Sequence, residues 1–126
     1  MSEFTKPLIL KKLKGRMWEV AVGFHYYVGE EGSKDYVYVP TGFRTDLASI
    51  PRIFWVVLPS DGTYSQSAVL HDRLYYTQER SRKNSDDIFL ESMEVLGVSW
   101  WRRKVIHRAV RMFGWACWSK KSAKAS

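Results

Sequence analysis

The spacing of apolar residues changes once along this chain, and that change constrains the fold more than any other feature. In "MWEVAVGFHYYVG" the residues Trp18, Val20, Val22, Phe24, Tyr26 and Val28 alternate with Glu19, Ala21, Gly23, His25 and Tyr27. A period of two marks a half-buried antiparallel strand. "GEEGSKD" supplies turn chemistry, "YVYVPTGF" returns as the next strand, and "LILKKL" before Gly15 adds another. Residues 1–44 therefore read as a three-stranded meander. "TDLASIPRIFWVVLPSDG" then reads as a loop over 45–63, with a short helical turn and closure by Pro59 and Gly62. From Tyr64 the spacing is helical. One helix is predicted over about Tyr64 to Gln78, and a second from a cap near Ser85 to a stop at Gly97. The third runs through "VSWWRRKVIHRAVRMFGWACW" with Ser99 as its cap, and residues 119–126 read as a flexible basic tail. Strands first and helices afterwards predict an α+β domain, a small N-terminal antiparallel sheet packed against three C-terminal helices.

At 126 residues the chain is expected to be one domain with a core of its own. Cys117 is the only cysteine, which excludes an internal disulfide and a cysteine-based zinc knuckle. The start has no secretory pattern, and no run approaches the roughly 20 apolar residues of a spanning helix. A soluble or peripheral protein is therefore expected. The formal charge of +7 favours an anionic partner without naming one.

Helix geometry picks out the polar residues that matter. Tyr64, Ala68, His71, Leu74 and Tyr75 share one face of the first helix, and Asp72 lies about 100° round from His71. In the second helix the apolar stripe is Phe89, Met93 and Leu96, and Asp86 stands one step before it, while Asp87 points elsewhere. Helices joined by a short loop pack antiparallel, which could bring His71 and Asp86 together. A carboxylate beside an imidazole fixes its tautomer and raises its basicity. On that reading His71 activates water, Asp86 orients it, and Tyr75 adds a hydrogen-bond donor. The same spacing also fits a buried pair that only fixes helix register.

Asp46 could cap a turn at Ser49. Turned towards His71 and Asp72, it would instead complete an oxygen-rich site, so Asp46 and Asp72 are the candidate ligands for a divalent cation. No dedicated metal motif is present. His25 is expected to face solvent, and His107 to lie with Arg103 and Arg111 on the polar side of the last helix. There Val98, Trp101, Val105, Ala109, Met112 and Ala116 read as the core stripe. Arg102, Arg103, Arg108 and Arg111, with Lys104, read as a basic surface near Trp100, Trp115 and Trp118. Such a helix suits an anionic lipid surface or a nucleic-acid backbone, or is simply a core helix with a solvated side.

Taken in order, "VPTGFRTDLASIPRIFW", "SAVLHDRLYY", "SDDIFLESMEVLGV" and "RRKVIHRAVRMFGW" resemble the domain-of-unknown-function family 1353 of tailed-phage and prophage genomes. The likeness spans roughly residues 36–115, and the order of the segments makes it specific. It rests on Thr45, Asp46, Ala48, Ser49 and Pro51, then His71, Asp72, Leu74 and Tyr75, then Asp86 ahead of Ile88 and Phe89. Ser85 departs from the small residue usual before that aspartate. The resemblance implies a phage origin, with a place in the host cytoplasm or virion, and supplies no activity. A fainter likeness is to His–Asp phospholipases of secreted and viral type, which would make His71 the base, Asp72 a calcium ligand and Asp86 the orienting group. Their glycine-rich calcium loop and disulfides are absent here. The expectation is thus a phage accessory protein with a hydrolase-like centre. The alternatives are a non-catalytic virion or host-interaction component that binds a phage or host protein, and a binder of nucleic acid or membrane through the last helix.

Overall fold

The computed structural model describes residues 3–15, 17–29, 34–45 and 64–125. Asp46, Ser49 and most of the expected loop lie outside them. The chain divides into two compact units, Met1–Asp46 and Leu47–Ser126. Among the described residues, strands fill the first and helices the second, so the class is α+β.

The strand unit is more divided than the alternation predicts. β1 (Glu3–Phe4), β4 (Phe24–Tyr27) and β5 (Tyr36–Val39) form one antiparallel sheet in the order β1-β4-β5. β2 (Leu10–Lys12), β3 (Trp18–Val20) and β6 (Arg44–Thr45) form another in the order β2-β3-β6. The run read as one strand from Trp18 to Val28 therefore breaks between β3 and β4, and its two halves belong to different sheets. Gly23 is the reason. A β-carbon there would stand 2.8 Å from the Thr41 amide nitrogen and 2.9 Å from the Val39 carbonyl oxygen. The Gly23 N–H also donates to Thr41 Oγ1 at 2.8 Å. The return run breaks opposite it, where Gly42 takes a φ of +91° that an L side chain rarely adopts. The alternation itself survives the corner: Val20, Phe24, Tyr26, Val37, Val39 and Phe43 are buried. His25, expected towards solvent, is half-buried between Tyr36 and Tyr38, with ring centroids 5.5 and 4.6 Å away.

In the helical unit α1 (Ser65–Thr77) packs on α2 (Arg82–Val95) and on α4 (Trp115–Ala125), and α2 packs on α3 (Trp100–Phe113). α1 ends on Gln78, which adopts a left-handed φ of 50° and donates through Nε2 to the Trp118 carbonyl at 2.8 Å. That bond between elements offsets the strain of a non-glycine residue in this conformation. α2 begins a turn earlier than the expected cap at Ser85. Ser81 is the cap, its hydroxyl accepting from the Asn84 N–H at 3.1 Å. Ser81→Ala is expected to lower the free energy of unfolding by about 1 kcal/mol, seen as a reduced urea midpoint at unchanged slope. An unchanged midpoint would assign the cap no energetic role.

The last predicted helix is two. It breaks at Gly114, and its helical backbone continues through 119–125, where a separate tail was expected. Phe89, Met93, Val98, Ile106 and Val110 form the core, with Tyr64 and Leu90 against it. Each such side chain contributes roughly 1.5–3 kcal/mol of burial. The inward face of α3 is therefore Ile106, Ala109 and Val110, about one residue round from the expected stripe. Trp101 and Met112, assigned to the core by spacing, are 51% and 64% exposed.

Candidate functional site

His71 and Asp86 meet. Residues from neighbouring helices converge on one carboxylate where α1, α2 and α3 come together. Asp86 Oδ1 lies 2.7 Å from His71 Nε2 and accepts from the Tyr75 hydroxyl at 2.6 Å. Its Oδ2 accepts from Arg111 Nη1 at 2.9 Å and lies 3.5 Å from Arg82 Nη1. The His71, Tyr75 and Asp86 residues have no exposed surface. The imidazole is packed between rings, stacked on Phe89 at 4.4 Å and tilted against Tyr75 at 4.2 Å. His71 and Tyr75 are one turn apart on α1, so both reach the same oxygen. Arg82 reaches Asp86 from one turn before it on α2.

The electrostatics fix the proton inventory. Burial pushes the Asp86 carboxyl up, but hydrogen bonds from His71, Tyr75 and Arg111 outweigh it and hold the group below its ordinary value. Burial, together with the bond to Asp86, pushes the Tyr75 phenol well above its ordinary range, so it stays a donor. An ionised Asp86 accepts only, so His71 must present Nε2–H to it. In the neutral ring that leaves the lone pair on Nδ1. Among the described residues, His71 Nδ1 has no hydrogen-bond partner.

Tyr75 is a donor, and its hydroxyl proton goes to Asp86. One expectation changes. Arg111, counted as basic surface, is tied to Asp86 because the side of α3 carrying it faces α2, as does that carrying His107. His107 Nε2 lies 3.1 Å from Asp87 Oδ1, and Lys83 Nζ lies 2.8 Å from Asp87 Oδ2. Burial raises the Asp87 carboxyl, and the bonds from Lys83 and His107 outweigh it and bring the group below its usual value. Arg82 was not anticipated. Besides reaching Asp86, it donates to the Val110 and Arg111 carbonyls at 2.9 and 3.1 Å, capping the end of α3. Its spacing of one turn before Asp86 was the available signal. Asp72 is also buried. Among the described residues no group of three or more His, Cys, Asp or Glu is placed to hold a metal ion, and Asp46, the other candidate ligand, is not among them.

A family model described as "Protein of unknown function (DUF1353)" matches residues 18–110. The chain belongs to the DUF1353 family. The match takes in His71, Tyr75, Arg82 and Asp86, while Arg111 stands just beyond it. The DUF1353 chain is also similar to "Uncharacterized protein y4jT" of Sinorhizobium fredii (strain NBRC 101917 / NGR234), 37% identical over 78 residues. That alignment covers 60% of this chain and 23% of the relative, so the chain spans about a quarter of that protein's length. No solved structure matches the DUF1353 chain.

Proposed function

We propose that this DUF1353 chain is a hydrolase-like protein in which His71 is the general base. One observation carries the reading: His71 is held through Nε2 by a carboxylate, while Nδ1 has no partner among the described residues. A buried polar atom left without a partner costs about 1–3 kcal/mol, so a purely structural histidine is normally satisfied at both nitrogens. In the reaction Nδ1 takes a proton from water as the water oxygen attacks the carbonyl carbon of an ester or amide. The proton then passes to the leaving oxygen or nitrogen. Asp86 stabilises the imidazolium formed in between, and Tyr75 and Arg111 keep Asp86 ionised. The phage accessory role implied by the sequence resemblance belongs to this same proposal.

The reading is tested with a panel of p-nitrophenyl esters and p-nitroanilides and the purified chain. Turnover is expected to fall about 100-fold or more in His71→Ala, and to be lost in a folded Asp86→Asn. Asp87→Asn should retain the wild-type rate. Wild-type protein inert across the panel, or His71→Ala at full rate, would sink it. A second reading is favoured by the complete burial of His71, Tyr75 and Asp86: the cluster is a clamp in a non-catalytic phage component. It predicts no turnover, and co-purification with particles that survives Asp86→Asn.

A further inference from the structure

The outward side of α3 has no role in the cluster, yet it is unusually apolar. Trp100, Trp101 and Met112 on α3 are 65%, 51% and 64% exposed, and Trp115 at the start of α4 is 61% exposed. Monomers rarely expose so many large apolar groups together, and such patches mark interaction surfaces. Helical spacing puts Trp101, Lys104, Arg108 and Met112 along one line of α3, with Lys104 and Arg108 also exposed, and Trp115 opens α4 just beyond its end. Arg102 adds its guanidinium over the Trp101 ring, 5.1 Å from the centroid. From Trp100 to Ala125 the sequence has eight lysines and arginines and no aspartate or glutamate. No acidic side chain of this segment would oppose an anion.

We infer that this face docks on an anionic lipid bilayer. Indole rings settle at headgroup level, Met112 buries apolar surface at the acyl boundary, and Lys104 and Arg108 meet the lipid phosphates between them. Two cations flanked along one line by large apolar groups fit such a boundary. A nucleic-acid backbone would leave Met112 without a role. At 14 residues α3 is about 21 Å long, too short for a hydrocarbon core of about 30 Å, so it lies along the surface. Among the described residues no helix is long and apolar enough to cross a membrane. This surface is independent of whether His71 is a base.

The test is co-sedimentation of the full chain with vesicles of phosphatidylcholine alone and of equal parts phosphatidylcholine and phosphatidylglycerol. Retention on the anionic vesicles is expected to exceed that on the neutral ones by about tenfold or more, and to weaken as salt rises. Trp101→Ala with Trp115→Ala should reduce it, and so should Lys104→Glu with Arg108→Glu. These side chains are outside the core, so thermal unfolding of both variants should match the wild type. Equal retention on both vesicle types, no retention, or retention indifferent to both variants would overturn the inference. So would displacement from the vesicles by an oligothymidylate that no longer binds the Lys104→Glu, Arg108→Glu variant, which would make the face a nucleic-acid surface.

Discussion

Asp86→Ala is expected to lower the free energy of unfolding by about 3–5 kcal/mol, the loss typical when one partner of a buried ionic cluster is removed. The substitution leaves the buried Nε2–H of His71 and the Tyr75 hydroxyl with no acceptor, and sets the Arg82 and Arg111 guanidinium groups against each other. Asp86→Asn keeps the shape but places an amide donor among groups that are all donors, so it should also be destabilising. Chemical denaturation measures both. The pH dependence adds a signature. Folded Asp86 is held below its ordinary 3.8, so the stability it contributes is complete above that value and is lost as pH falls through the lower folded value. Wild-type protein should therefore lose stability below about pH 4 more steeply than Asp86→Ala. A loss under about 1 kcal/mol, with parallel acid limbs, would show that the cluster does not hold the helices together.

Gly114→Ala is expected to cost about 2–3 kcal/mol, the upper part of the range for overpacking. A β-carbon at Gly114 would stand 2.4 Å from the Val110 carbonyl oxygen, 2.5 Å from the Tyr75 hydroxyl and 3.2 Å from Arg82 Nη1. The first of these is main chain and cannot rotate away. Relief requires the start of α4 to move, which disturbs Tyr75 and Arg82 where they meet Asp86. If the proposed chemistry holds, hydrolysis should fall alongside the unfolding midpoint. A variant as stable as the wild type would mean that the α3–α4 junction adjusts freely.

The class and the His71–Asp86 pairing were legible because both depend on local periodicity. Apolar spacing put each residue beside a stripe, and the short connection after Gln78 limited how α1 and α2 could pack. The division of the strand run was not legible from alternation, which passes unchanged through a corner. Gly23 and Gly42 were the signals, and their meaning depends on a close approach between distant main chains. The face of α3 was misjudged because that helix carries apolar residues on two sides. Ile106 and Val110 face α2, and Trp101 and Met112 do not, a choice made by tertiary packing. Arg111 followed the same error, since an arginine in a basic run looks solvated until the partner helix is placed.

The short span between His71 and Asp86 also bears on the order of assembly. They are 15 residues apart, whereas Arg111 is 25 from Asp86. The closer pair asks for less loop-closure entropy, so an α1–α2 hairpin can nucleate with the imidazole and carboxylate already joined, before α3 arrives. In that sequence of events His71 belongs to the folding nucleus and Arg111 to its completion. Weakening the first slows folding, while weakening the second chiefly hastens unfolding.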